Sequence, residues 1–359
     1  MTYLSRGLCL FVVLISCLVV SARNASNFDR RDRYRFTLDR TGTDDSAWRQ
    51  LPGLLRGGHL RFMTFNIWNS GTNVENGMAK IAKHISYMNP DIIALQEVDS
   101  IYVLTELARL LGPDWSYVGR NQTRPDTGIL TRHTIVGQSP LDDASVRARV
   151  RVQFLDGSSI FINFWSLHLD YHDYGPYAAC NKLVTAPYQI EAGEQYLGGG
   201  VPGRVQNILN TVNLAEFKND LDSANEDPMI VAGDMNCPSH LDWIETTKAN
   251  HCGWAYEWPV TKTITDHGLM DSFREVYPDP LAVPANTWST VQKSQDGWGG
   301  TIPEPQDRID MIFYKSPRWS PVAAKVYTGS EPITPKPNQW HNDWPSDHAS
   351  VVVDFKLKA

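Results

Sequence analysis

The stretch Pro228–Asn236 reads PMIVAGDMN, an apolar run that passes straight into Gly-Asp-Met-Asn. Met229 to Ala232, entered from the polar NEDP, has the length and composition of a short buried strand. Strand side chains alternate between faces, so continued pleating would set Asp234 and Asn236 on one side and Met235 on the other. A carboxylate and a carboxamide would then share one small volume. Such an ending is either a turn or the beginning of a site.

The same pattern recurs outward from this segment in both directions. HLRFMTFNIW (59–68) brings Asn66 to a strand end, DIIALQEV (91–98) brings Glu97, and SSIFINFWSLHLD (158–170) brings His168. RIDMIF (308–313) carries Asp310, and WPSDHASVVV (344–353) carries Asp347 and His348. Between them, ENGMAKIAKHISYM places Met78, Ile81, Ile85 and Met88 on one helical face and stops at Asn89-Pro90. A second helix is predicted around Leu104 to Leu111, a strand at TGILTR, and a hairpin of ARVRVQFL with the His168 strand through Asp156-Gly157. A helix is predicted after Pro202-Gly203, with Val205, Ile208, Leu209 and Val212 on its apolar face. Strands that alternate with helices yet also pair as hairpins indicate one mixed α/β domain over residues 59–359.

The chain has 359 residues, 42% hydrophobic and 20% charged, enough to bury a large core. Residues 1–22 read as a cleaved signal peptide: a short basic start, the apolar run LCLFVVLISCLVV, then small residues at Val20-Ser21-Ala22. An uncleaved anchor is the competing reading, but the run is short for a span, so no stable transmembrane segment is expected after cleavage. A secreted, extracellular protein follows. Export gives meaning to the sequons at Asn24 and Asn121, and leaves Cys180, Cys237 and Cys252 as one disulfide plus one thiol, with the pair undetermined. Residues 23–58, rich in Arg and Asp, are expected as an exposed arm outside the core. The net charge of -7 supplies no basic field for gathering a nucleic acid, although a local basic cleft would not be excluded.

Each polar strand end has an ordinary explanation when taken alone. Asn66 can form a turn, Glu97 can be an edge charge, and a histidine in an apolar strand is usually a hydrogen-bonded core residue. As a set they resist that explanation, because Glu97, Asp234, Asp310 and Asp347 could not be buried together without a cation or basic partners. In their order, FNIW, LQEV, GDMN, RIDMIF and SDH resemble the endonuclease/exonuclease/phosphatase superfamily, from about His59 to the C-terminus.

The resemblance implies a four-layered α/β sandwich, two packed mixed β-sheets flanked by helices, as in DNase I-like proteins. It implies a divalent cation, Mg2+ with Mn2+ or Ca2+ as alternatives, held by Glu97 with Asn66 and Asp347. It also implies His348 as catalytic histidine oriented by Asp310, Asp234 and Asn236 positioning or deprotonating a water, and His168 donating to a phosphoryl oxygen. Whether Asp234 or His348 is the base stays open. The chain departs from some nucleases of this superfamily in having no tyrosine between Tyr117 and Tyr171.

The substrate reads as a phosphoester. A small-molecule or phospholipid-headgroup phosphodiester is favoured over DNA or RNA, because the chain is acidic and has no clear basic-aromatic stripe. An inactive binding protein on the same scaffold is the alternative of another class. Candidate substrate contacts are Tyr171 and His172 in HLDYHDYGPY, Arg204 at a helix start after GGGVPG, and Trp298 between glycines in DGWGG. The other C-terminal tryptophans, Trp288 among them, are expected mainly as packing residues.

Overall fold

In the computed structural model the described residues are 54–55, 58–120, 123–140, 144–154, 157–196, 201–295 and 299–358. The signal peptide, most of the arm, Asn121, Asp156 and Trp298 lie outside them.

Thirteen strands build two sheets. The first has seven: β1 (Leu54–Leu55), β6 (Thr134–Pro140), β7 (Ser145–Phe154), β8 (Ser159–His168), β9 (Met229–Asp234), β10 (Met270–Asp271) and β11 (Asp310–Lys315), in the order β1-β7-β8-β9-β11-β10 with β6 also on β7. The second has six: β12 (Trp319–Tyr327), β13 (Ser350–Leu357), β2 (His59–Asn66), β3 (Ile92–Val98), β5 (Asp126–Thr131) and β4 (Ser116–Gly119), in that order. Both are mixed, with β8 parallel to β9, β1 parallel to β7 and β2 parallel to β3 among antiparallel pairs. Leu54–Leu55, within the stretch expected as an arm, pair in parallel with Gln153 and Phe154 as an edge strand.

Alternation along each strand explains the layering. Even-numbered Leu60, Phe62, Ile92, Ala94, Ile162, Phe164, Ile230 and Ala232 meet between the sheets in one apolar cluster. Their odd-numbered neighbours face outward under helices. Met63, Phe65, Ile93 and Leu95 pack beneath α1 (Gly77–Met88) and α2 (Ile101–Leu111). On the other side Trp165, Val231 and Met311 lie beneath α4 (Pro187–Gln195), α5 (Arg204–Asn213), α6 (Ala215–Ser223) and α7 (Pro259–Asp266). The helix predicted from Met78 to Met88 is α1, ended by Asn89 in a left-handed conformation. The helix predicted after Gly203 breaks at Leu214 into α5 and α6. Short α3 (Gly175–Cys180) and α8 (Ser272–Val276) complete the set. The disulfide is Cys180–Cys252, and Cys237 is a buried thiol.

Toward one end of the sandwich the inward positions turn polar. Thr64 donates to Gln96 (3.2 Å) and Gln96 to Ser166 (3.3 Å), a hydrogen-bonded layer that closes the apolar core. The next inward positions on the same strands are Asn66, His168 and Asp234.

Candidate active site

That end of the sandwich opens into a cleft of about 570 Å³ whose lining includes Glu97, Asp126, His168, Asp234, Asn236, Asp347 and His348. Segments far apart in sequence meet there because parallel β8 and β9 bring His168 level with Asp234, and antiparallel β11 brings Asp310 level with Asp234.

Asp234 is at the centre and fully buried. Its Oδ2 accepts from Asn66 Nδ2 (3.0 Å), and its Oδ1 from the Asn236 main-chain N–H (2.9 Å). The second bond spans two residues and is an Asx turn. The strand therefore ends at Asp234, and Asn236 takes a left-handed φ of 50° while its Nδ2 donates to the Leu169 carbonyl (2.9 Å). Asp234 and Asn236 share the cleft as expected, but through this turn rather than by continued pleating. Gly233 is required by close approach: a Cβ there would lie 2.0 Å from the Leu167 carbonyl oxygen.

Two imidazoles approach Asp234 Oδ2, His348 Nε2 at 3.7 Å and His168 Nε2 at 3.8 Å. Each is held from behind by a carboxylate. His348 Nδ1 is 2.9 Å from Asp310 Oδ2, and His168 Nδ1 is 3.1 Å from both oxygens of Asp126. With Nδ1 donating to a carboxylate and Nε2 directed at another, both rings are set to carry protons on both nitrogens. Burial alone would depress His168, but the Asp126 carboxylate, aided by Asp234 and Glu97, lifts it to about 9. Burial likewise opposes the charge on His348, and Asp310 and Asp234 overcome it, raising its pKa well above the usual value.

Glu97 reaches the cleft by an irregularity. By alternation it would face the helices like Leu95, but the β3–β5 register slips between Leu95 and Val98, and Glu97 takes a φ of 59°. The bulge re-aims its carboxylate. Oε1 accepts from Asn66 Nδ2 (3.0 Å) and Oε2 from the Asn69 N–H (2.7 Å). Burial pushes Asp347 up to about 7, with the Glu97 charge adding to the rise and His348 opposing it. Its buried Oδ1 has no hydrogen-bond partner among the described residues. Two neighbouring hard oxygen donors, one of them orphaned, fit a divalent cation. Asp234, Asp310 and His348 also offer ligand atoms within 4.8 Å of one another, and Asp310 Oδ1 is likewise buried without a hydrogen-bond partner among the described residues.

Ser346 braces the SDH loop, donating to the Asn66 carbonyl (2.7 Å) and accepting from the His348 N–H (3.0 Å).

The expected substrate contacts divide. Tyr171 lines the cleft, and His172 stacks behind it with ring centroids 4.0 Å apart. Arg204 is corrected: it is 1% exposed, paired with buried Glu194 and donating to the Asp170 carbonyl (2.9 Å), so it braces the helical layer and does not meet an anion. Two cleft residues went unread in the sequence. Asp126, with a φ of 55°, precedes an apolar strand and looks like a turn residue. Trp288 was expected as packing, yet its ring lies over His348 with centroids 4.7 Å apart.

Two mixed sheets between helical layers, with paired carboxylates and imidazoles at the strand ends, define a DNase I-like fold with a phosphoesterase-type cleft. Residues 63–348 match the Endonuclease/Exonuclease/phosphatase family, and the chain belongs to it. The chain is 47% identical over 296 residues to an uncharacterized protein of Caenorhabditis elegans, covering 82% of this chain and 91% of that one. Among solved structures, D. rerio TDP2 complexed with a single-strand DNA product is similar at a TM-score of 0.50 and 16% identity, over 83% of this chain and 99% of that one. A mannosyl-6-phosphatase of Bacteroides thetaiotaomicron matches at a TM-score of 0.50 and 18% identity, over 83% and 100%. At these identities the two structures establish the fold.

Proposed function

We propose that the chain is a divalent-metal-dependent phosphoester hydrolase acting on a small-molecule or phospholipid-headgroup phosphodiester. The observation that carries this reading is the convergence of two carboxylate–imidazole pairs on Asp234, with Glu97 and Asp347 lining the same cleft. Binding alone would not need two oriented imidazoles.

Glu97, with Asn66 and Asp347, would hold the cation, Mg2+ being favoured by the oxygen donors. A bound cation supplies Lewis-acid polarisation of the phosphoryl group and stabilises charge on the leaving oxygen. The protein's own groups do the rest. His348 and His168 present Nε2–H donors to non-bridging oxygens as negative charge develops. Asp310 and Asp126 fix those rings. Asp234, between them, accepts the proton of an attacking water, and Asn236 holds the phosphate in line.

A compact ester is supported by the charge of the cleft, whose lining carries Glu97, Asp99, Asp126, Asp234 and Asp347 against Arg124 and the two imidazoles of His168 and His348. A polyanion gains little from such walls. Export of the mature chain is part of the proposal, supported by the N-terminal pattern and by the Cys180–Cys252 disulfide, a bond that persists in oxidising compartments.

The test is hydrolysis of bis(p-nitrophenyl) phosphate by the purified protein with Mg2+, Mn2+ or Ca2+ and with EDTA, followed by a panel of phospholipids, sugar phosphates, nucleotides, DNA and RNA. Metal-dependent turnover of a small diester above that of DNA or RNA is expected. Inertness toward every diester and monoester would overturn the hydrolase reading in favour of a binding protein.

A further inference from the structure

Trp288 sits on the long segment between α8 and β11. Its main chain is pinned on both sides. Trp288 and Asp307 exchange N–H···O bonds of 3.1 Å, and the Thr290 and Ala349 amides donate to the Asp347 and Thr287 carbonyls at 2.7 Å each. The indole is pinned separately, with Nε1 donating to Glu304 Oε1 at 2.6 Å. The Tyr177 hydroxyl donates to the same oxygen, and Gln292 Nε2 donates to Oε2 at 3.1 Å. Gln292 Oε1 in turn accepts from Lys336 Nζ at 3.0 Å, and Lys336 lies 5.4 Å over the Trp68 ring. Trp68, Tyr177, Trp288 and Gln292 all line the cleft.

Glu304 itself is 5% exposed and stands behind that wall. Its side-chain donors are an indole, a phenol and an amide, all uncharged. Burying a carboxylate on such partners is costly compared with an apolar residue, unless it organises something. What it organises is the orientation of two aromatic side chains from segments more than one hundred residues apart (177 and 288), one of them packed on His348. Because the indole N–H and the phenol O–H are both turned toward Glu304, ring surface is left toward the cleft.

We propose that Glu304 is a positioning residue: it fixes Trp288 and Tyr177 as a rigid wall, and through Trp288 it limits the tilt of the His348 ring. This rests on the hydrolase reading above, in which His348 donates to the phosphoryl group. Glu304 does not touch substrate.

The experiment compares wild type, Glu304→Leu, Glu304→Gln, Trp288→Phe and the Trp288→Phe/Glu304→Leu double variant on bis(p-nitrophenyl) phosphate with Mg2+. Glu304→Gln keeps a carbonyl oxygen for the two aromatic donors, and Trp288→Phe keeps a ring but deletes the indole donor. The expected results are a tenfold or greater loss of kcat in Glu304→Leu with KM within threefold, recovery to within threefold of wild type in Glu304→Gln, and a double variant no worse than twofold below Glu304→Leu. A folded Glu304→Leu protein with kcat within threefold of wild type overturns the proposal, as does a Glu304→Gln protein as impaired as Glu304→Leu. If Glu304→Leu does not fold, Trp288→Phe decides: a threefold or larger fall in kcat supports the proposal and a smaller change overturns it. If wild type turns over no ester, the hydrolase reading has failed, and amide exchange decides the positioning claim. Faster exchange at Thr290 and Ala349 in Glu304→Leu, restored in Glu304→Gln and absent from α1, supports it, and unchanged exchange overturns it.

Discussion

Replacing Asp126 by Asn isolates one charge in the site. The amide oxygen can still accept from His168 Nδ1, so the ring keeps its partner while the negative charge disappears. His168 is lifted from 6.5 to about 9, with burial opposing and the Asp126 hydrogen bond and charge prevailing. At about 1.4 kcal/mol per pH unit, the whole rise corresponds to about 3 kcal/mol. The Asp126 side chain is 37% exposed, so solvent screening reduces its share to about 1–2 kcal/mol, which is about one pH unit. The sign follows from the direction. A raised histidine is protonated in the native site below 6.5 and loses that state as pH rises through about 9, so the variant differs from wild type on the alkaline side. In a kcat/KM profile on bis(p-nitrophenyl) phosphate, Asp126→Asn should move the alkaline limb down by about one unit, with about a threefold deficit near pH 8.5, approaching tenfold near pH 10, and less than twofold near pH 6. Thermal stability should show the opposite pH dependence, with the variant weaker than wild type near pH 6 and equal to it above pH 9. An unmoved alkaline limb would refute the assignment of His168 as a proton-bearing donor held by Asp126.

Glu97→Gln should raise the Mg2+ concentration for half-maximal activity by at least about tenfold, and identical magnesium titrations would remove Glu97 from the ligand set. His348→Ala should lower kcat by about 10²–10⁴-fold, and wild-type rates would exclude its role. Gly233→Ala forces a Cβ to 2.0 Å from the Leu167 carbonyl oxygen inside the β8–β9 pairing. It should cost more than about 3 kcal/mol, so a melting temperature within a few degrees of wild type would contradict the packing described there.

The fold was legible because alternation and strand ends are written locally. Met229–Ala232 and Ile92–Leu95 announce buried strands, and the polar residue closing each run marks the cleft end of the sandwich. What escaped depends on backbone conformations or distant partners. Nothing in LQEV reveals that Glu97 is off the pleat, since the slip is fixed by pairing with β5. Asp126 acquires meaning only when β5 lies beside β8. Arg204 was misread because a charge at a helix start suggests an anion, whereas Glu194, ten residues earlier, comes up against it only after α4 folds back. Trp288 needed Glu304 and His348 together before its place in the wall could be seen.

The bulge at Glu97 has an evolutionary side. Its neighbours Leu95 and Val98 are fully buried and carry the packing, while Glu97 occupies a partly buried, left-handed position that Gly or Asn adopts with less strain. A descendant carrying either residue would keep the core untouched and lose an acid of the cleft. On the hydrolase reading proposed above, silencing this scaffold into a pseudoenzyme would be a single inexpensive substitution, while restoring it would demand selection against the backbone's own preference.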